Sequence, residues 1–223
     1  MGDIALFTSY GLDFLFRWMH ILFGIAWIGL LYYFNFVQTE YFKEAEDAHR
    51  SGAIQKLVPR ALWWFRWGAM LTFFTGLVLL GLKGAGVSFD ITIGATLGTL
   101  MFLNVWLIIW PNQKIVIASA TQVAHGGEPL PEAAAAAPKA ALASRTNTLF
   151  SMPMLFFMVS SAHLTHGVVT AASPVALGLM LLIILALEAN AIFGKPGPMA
   201  SVSGVIHCSI GLTVVLYGLM AIL

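Results

Sequence analysis

The chain has 223 residues, of which 59% are hydrophobic and only 9% charged, with a formal net charge of +1. A soluble domain carries about 25% charged residues, so this composition excludes a water-soluble globule, and the near-neutral balance offers no basic field for nucleic acid. The single cysteine, Cys208, excludes an intramolecular disulfide and also a covalent c-type haem site, which needs C-x-x-C-H.

Met1 to Gly11 lacks the basic n-region of a signal peptide, and the apolar run that follows is too long for an h-region. Crossing a bilayer takes roughly 20 mainly apolar residues. Six stretches qualify in chain order: about Leu12–Val37, Ala61–Leu82, Ile91–Trp110, Thr148–Val169, Pro174–Phe193 and Ser201–Ile222. Lys83-Gly84-Ala85-Gly86, Trp110-Pro111-Asn112 and Gly194-Lys195-Pro196-Gly197-Pro198 punctuate them. The expected fold is therefore all-α integral membrane, one six-transmembrane-helix bundle over residues 1–223.

Lys43, Arg50, Lys56, Arg60, Lys114, Lys139, Arg145 and Lys195 fall on one side of that topology, against Arg17 and Lys83 on the other. Basic residues stay inside. The reading places loops 38–60 and 111–147 in the cytoplasm and both termini in the periplasm of a bacterial inner membrane. The first loop mixes acids and bases and suits an interfacial helix. The second, with Pro129, Pro131 and Pro138, reads as a surface linker.

Ionisable groups inside spans are costly and mark sites. An outer layer holds Asp13, Arg17 and His20 on the first helix and His163 and His166 on the fourth. Imidazoles at matched depth on two helices suit the two axial positions of a haem b, with His20 and the deeper His163 as ligands. Gly24 and Trp27 share the His20 face, a glycine there admitting a flat macrocycle, and Arg17 suits a propionate. Histidines that only hydrogen-bond neighbouring helices, or a different metal, are the alternatives. An inner layer holds Arg66, Asn104, Glu188 and His207, readable as a proton relay or second ligand site, or as an Arg66–Glu188 ion pair with His207 beside it. His207 shares a stripe with Gly204, Gly211 and Gly218 and is expected to face a close neighbour. Gly94-x-x-x-Gly98 reads as helix packing.

Asn104-Val-Trp-Leu-Ile-Ile-Trp-Pro-Asn-Gln-Lys114 and the segment from Ser144-Arg-Thr-Asn147 to His163 resemble the membrane domain of the cytochrome-c-linked urate oxidase (urate hydroxylase) family. Arg17-Trp-Met-His-Ile-Leu-Phe-Gly-Ile-Ala-Trp-Ile-Gly29 resembles that family's first helix, whereas helices five and six carry no recognised likeness. The resemblance implies an integral-membrane oxidoreductase that passes substrate electrons to a cytochrome c. Full-length members carry a C-terminal cytochrome c domain, whose C-x-x-C-H is not in these 223 residues. Asn112, Gln113, Lys114, Arg145 and Asn147 flank the second loop with amides and cations. They suit an anionic heterocycle such as urate, with Arg145 as anion partner; the alternative is helix capping and headgroup anchoring.

The leading expectation is a haem b membrane redox protein in the lipid bilayer, delivering electrons to a cytochrome c or a larger respiratory complex. The alternatives are a urate or purine oxidase in its own right, and a non-catalytic accessory or assembly subunit.

Overall fold

The structure, a computed structural model, describes residues 5–164 and 166–223. Residues 1–4, and Thr165 within the fourth expected span, lie outside it. Seven helices make up the described chain: α1 (Ser9–Glu44), α2 (Asp47–Lys56), α3 (Val58–Lys83), α4 (Phe89–Ala124), α5 (Ala133–His163), α6 (Pro174–Phe193) and α7 (Val202–Ile222). Short polar side chains start several of them. Thr8, Ser88, Ser173 and Ser201 each accept a backbone N–H of the first turn.

Five helices (α1, α3, α4, α6 and α7) are long and apolar enough to cross a membrane, the architecture of a helical integral membrane protein. The fourth expected span is the apolar half of α5, which falls short of that composition for a physical reason. α5 packs against α1, α4, α6 and α7, and its buried residues include Arg145, Thr146, Asn147, Thr148, Ser151 and Ser160. A helix enclosed by protein has no lipid to match.

Small residues set the close approaches. A Cβ on Gly68 would stand 3.1 Å from the Trp27 nitrogen, locking α3 to α1, and one on Gly94 would stand 3.2 Å from the Met158 nitrogen, locking α4 to α5. The Gly94 contact is the helix packing expected of Gly94-x-x-x-Gly98. Ser209 donates to the Leu149 carbonyl at 2.7 Å, joining α7 to α5.

The second expected loop is mostly helix. Trp110-Pro111-Asn112 does not end α4, because a π-helical segment, Asn104–Ile109, runs straight into it. A wider turn accommodates a residue without an N–H, and α4 continues to Ala124. α5 resumes at Ala133 with Pro138 and Pro153 inside it. The expected surface linker is thus largely a pair of helix extensions, with Ala136, Ala140 and Ala143 buried. A second π segment, Tyr33–Gln38, interrupts α1.

Candidate functional site

Both π segments are pinned by α5. Asn35 donates its side-chain N–H to the Leu31 carbonyl at 2.9 Å and to Ser144 Oγ at 2.8 Å. Asn147 donates to the Met101 carbonyl at 2.9 Å and accepts from Asn104 Nδ2 at 3.0 Å. The Ser144-Arg145-Thr146-Asn147 motif therefore lies inside the bundle: Arg145 is 6% exposed, and Thr146 and Asn147 are fully buried. Headgroup anchoring is overturned for Arg145 and Asn147.

A cavity of about 250 Å³ opens beside this motif, walled by α1, α2, α3, α4 and α5. Phe34, Phe42 and Phe65 give it aromatic walls, while Asn35, Gln38, Gln113, Ser144 and Arg145 bring polar groups. Pockets for drug-sized ligands run to roughly 300–1,000 Å³, so this one suits a smaller molecule. Two lining residues each have an enclosed side-chain atom without a protein hydrogen-bond partner: Arg145 at Nη1 and Gln38 at Oε1. The Glu40 carboxylate supports the Arg145 charge through space.

Of the residues expected at this end, Gln113 and Arg145 line the cavity. Asn112 is spent on the Ile108 carbonyl at 2.7 Å, and Lys114 is exposed near the Trp110 ring. Asn35 and Gln38 escaped the sequence reading. They stand three apart in the last turn of an apolar run, where a polar pair sharing one face was the available signal.

The inner layer does not assemble as expected. Arg66 stacks its guanidinium 3.8 Å over Trp110, a cation–π contact, rather than pairing with Glu188. Glu188 accepts from Asn104 Nδ2 at 3.1 Å, which makes Asn104, Asn147 and Glu188 one buried network. His207 is exposed and bonds the Ser203 carbonyl of its own helix. No heavy atom would lie within 4 Å of a Cβ on Gly211 or Gly218, so that part of the stripe faces away from the bundle.

The outer histidines hold separate positions. His20 bonds Thr75 Oγ1 at 3.1 Å through Nδ1. The Thr75 hydroxyl already donates to the Leu71 carbonyl at 2.7 Å, so Nδ1–H is the donor and Nε2 keeps its lone pair. The His20, Gly24 and Trp27 face is filled by Gly76, Thr72 and Gly68 of α3. Gly24 and Trp27 therefore form a packing seam and do not fit a macrocycle. Arg17 pairs with Asp13 at 2.9 Å in the open. His163 is exposed at the end of α5. His166 instead meets Asp90, a fully buried carboxylate that the sequence reading passed over at the edge of its third span. Asp90 accepts from Ser160 Oγ at 2.6 Å, from His166 Nδ1 at 2.9 Å and from the His166 backbone N–H at 3.2 Å. Among the described residues, no three His, Cys, Asp or Glu side chains converge as a metal site.

Apolar helices long enough to span a bilayer, with a small cavity between them, define a helical membrane protein. The family model for the urate oxidase N-terminal region matches residues 84–205, just over half of the chain, and the chain belongs to that family. The match contains both motifs that carried the resemblance and extends through α6, where the sequence reading saw none; the first-helix segment lies outside it. No curated protein and no solved structure matches the chain.

Proposed function

We propose that this chain is the membrane module of a urate-oxidising system, and that it binds urate or a closely related purine anion in the cavity beside Arg145. The observation that carries this reading is the family match, taken with Arg145 in the lining of a small aromatic-walled cavity. A guanidinium offers a planar fork of donors to a delocalised anion, and the phenylalanine walls favour a flat ring. Six spans with both termini periplasmic would put the cavity at the cytoplasmic face, since it lies among the ends of α3, α4 and α5 that carry Arg60, Lys114 and Lys139. Electrons from the substrate pass to a cytochrome c or a larger respiratory complex. Urate-dependent reduction of added cytochrome c by membranes, lost in Arg145→Ala, tests the reading; urate-indifferent wild-type membranes refute it.

A second reading concerns the opposite half of the bundle, where His20 would offer an axial imidazole to a haem b only if the filled Gly24–Trp27 seam opened. The fixed tautomer of His20 favours it, because a ligating histidine characteristically donates its other ring N–H to a neighbour. Tyr32 and Ser151 touch at 2.9 Å, and His20 and His163 lie equally many residues from that contact, so at ~1.5 Å per residue their depths match. A reduced-minus-oxidised spectrum of purified protein with and without His20→Ala decides it. Protein without a b-type chromophore that co-purifies with a larger complex would point to an accessory subunit instead.

A further inference from the structure

We propose that Glu188 is a proton-binding site inside the bundle, its carboxyl kept as the neutral acid at the end of a chain of amides that starts from a backbone carbonyl. The proposal is independent of any ligand beside Arg145. The Met101 carbonyl can only accept, so Asn147 must turn Nδ2 toward it, at 2.9 Å. Asn147 Oδ1 then faces Asn104, which must present its own Nδ2, at 3.0 Å. The same Nδ2 donates to Glu188 Oε2 at 3.1 Å. Both hydrogens of the Asn104 amide are thereby spent, and the backbone has fixed which group Glu188 meets.

An ionised carboxylate offers about four acceptor positions, and this buried one receives a single neutral N–H. Among the described residues, no Lys, Arg or His pairs with it. α6 packs against α4, α5 and α7, whose titratable groups are engaged elsewhere or exposed. On α4, Asp90 holds His166 and Lys114 is exposed. On α5, Arg145 lines the cavity with Glu40 in support, and Lys139 and His163 are exposed. On α7, His207 is exposed and bonds its own helix, while Tyr217 lies against His166. Arg66 of α3 stacks on Trp110. A buried charge without a partner costs far more than a buried neutral acid, and an ionisable group within a span marks a functional position. The proton therefore sits on Oε1, leaving Oε2 as the carbonyl oxygen to which Asn104 donates. An uncharged amide donor serves the acid and the carboxylate alike, so the site can release and regain one proton without rearranging the network.

The test is infrared difference spectroscopy of detergent-purified wild type, Glu188→Gln and Asn104→Leu at neutral pH, without added ligand. The expected result is a C=O stretch of a protonated carboxyl in wild type that is lost in Glu188→Gln. In Asn104→Leu the same band persists and moves to higher frequency, because its carbonyl oxygen has lost a donor. Wild type and Glu188→Gln that differ only in the carboxylate bands would overturn the proposal, whether the charge stands bare or is met by a metal cation. A protonated-carboxyl region identical in the two would overturn it as well. If Glu188→Gln elutes aggregated on gel filtration, Asn104→Leu carries the comparison, and an unshifted band there would overturn the assignment. None of these outcomes bears on urate binding at Arg145.

Discussion

Asn35 donates to Ser144 Oγ at 2.8 Å, and this bond joins the π segment of α1 to α5 one residue before Arg145. The cavity wall and its cation are therefore positioned by the same contact. A buried amide that loses its place leaves unpaired groups costing about 1–3 kcal/mol each. Asn35→Leu is expected to lower the thermal midpoint of the purified protein and to weaken ligand binding with it.

Arg145 should behave in the opposite way. Burial of the Arg145 guanidinium is unfavourable for the fold, with Glu40 offsetting it only through space. Arg145→Met is expected to raise the thermal midpoint of ligand-free protein while abolishing binding. A lower midpoint would mean that the guanidinium serves the fold rather than a ligand.

The Asp90 cluster predicts a strong structural dependence on the carboxylate. Three donors converge on it, and Asp90→Ala strands Ser160 and the His166 backbone, at about 3–5 kcal/mol for a broken buried pair. His163→Ala, at an exposed helix end, is expected to shift the midpoint by no more than about 0.5 kcal/mol equivalent. Comparable losses in the two variants would contradict this assignment.

In the central network, Asn147 does more than Glu188. Asn147 caps the Met101 carbonyl and accepts from Asn104, whereas Glu188 accepts one bond from Asn104. Glu188→Gln keeps an acceptor and should leave the midpoint nearly unchanged; Asn147→Leu strands a buried carbonyl and should cost about 1–3 kcal/mol. Circular-dichroism melts of the two variants make the comparison.

Apolar runs made the spanning helices readable, because each lipid-facing span must be apolar along its length. α5 was harder at its inner half: enclosed by its neighbours, it carries Arg145, Thr146 and Asn147 where the reading expected a headgroup surface. Pro111 read as a helix end because nothing in the local pattern announces a π segment. Arg145 and Gln113 were nameable from their chemistry. Gln38, Asn35 and Asp90 were not, since each sits at the margin of an apolar run and gains its meaning from a helix distant in sequence. His207 and the Arg66–Glu188 pair failed for the converse reason: shared depth says nothing of which face a side chain takes.

Direct titration of urate into the purified wild-type protein and into Arg145→Met is the most searching measurement. Saturable binding in wild type, weakened by about 100-fold or more when the guanidinium is removed, is the expected result. Equal affinity in the two proteins, or no binding in either, would contradict a urate site at Arg145.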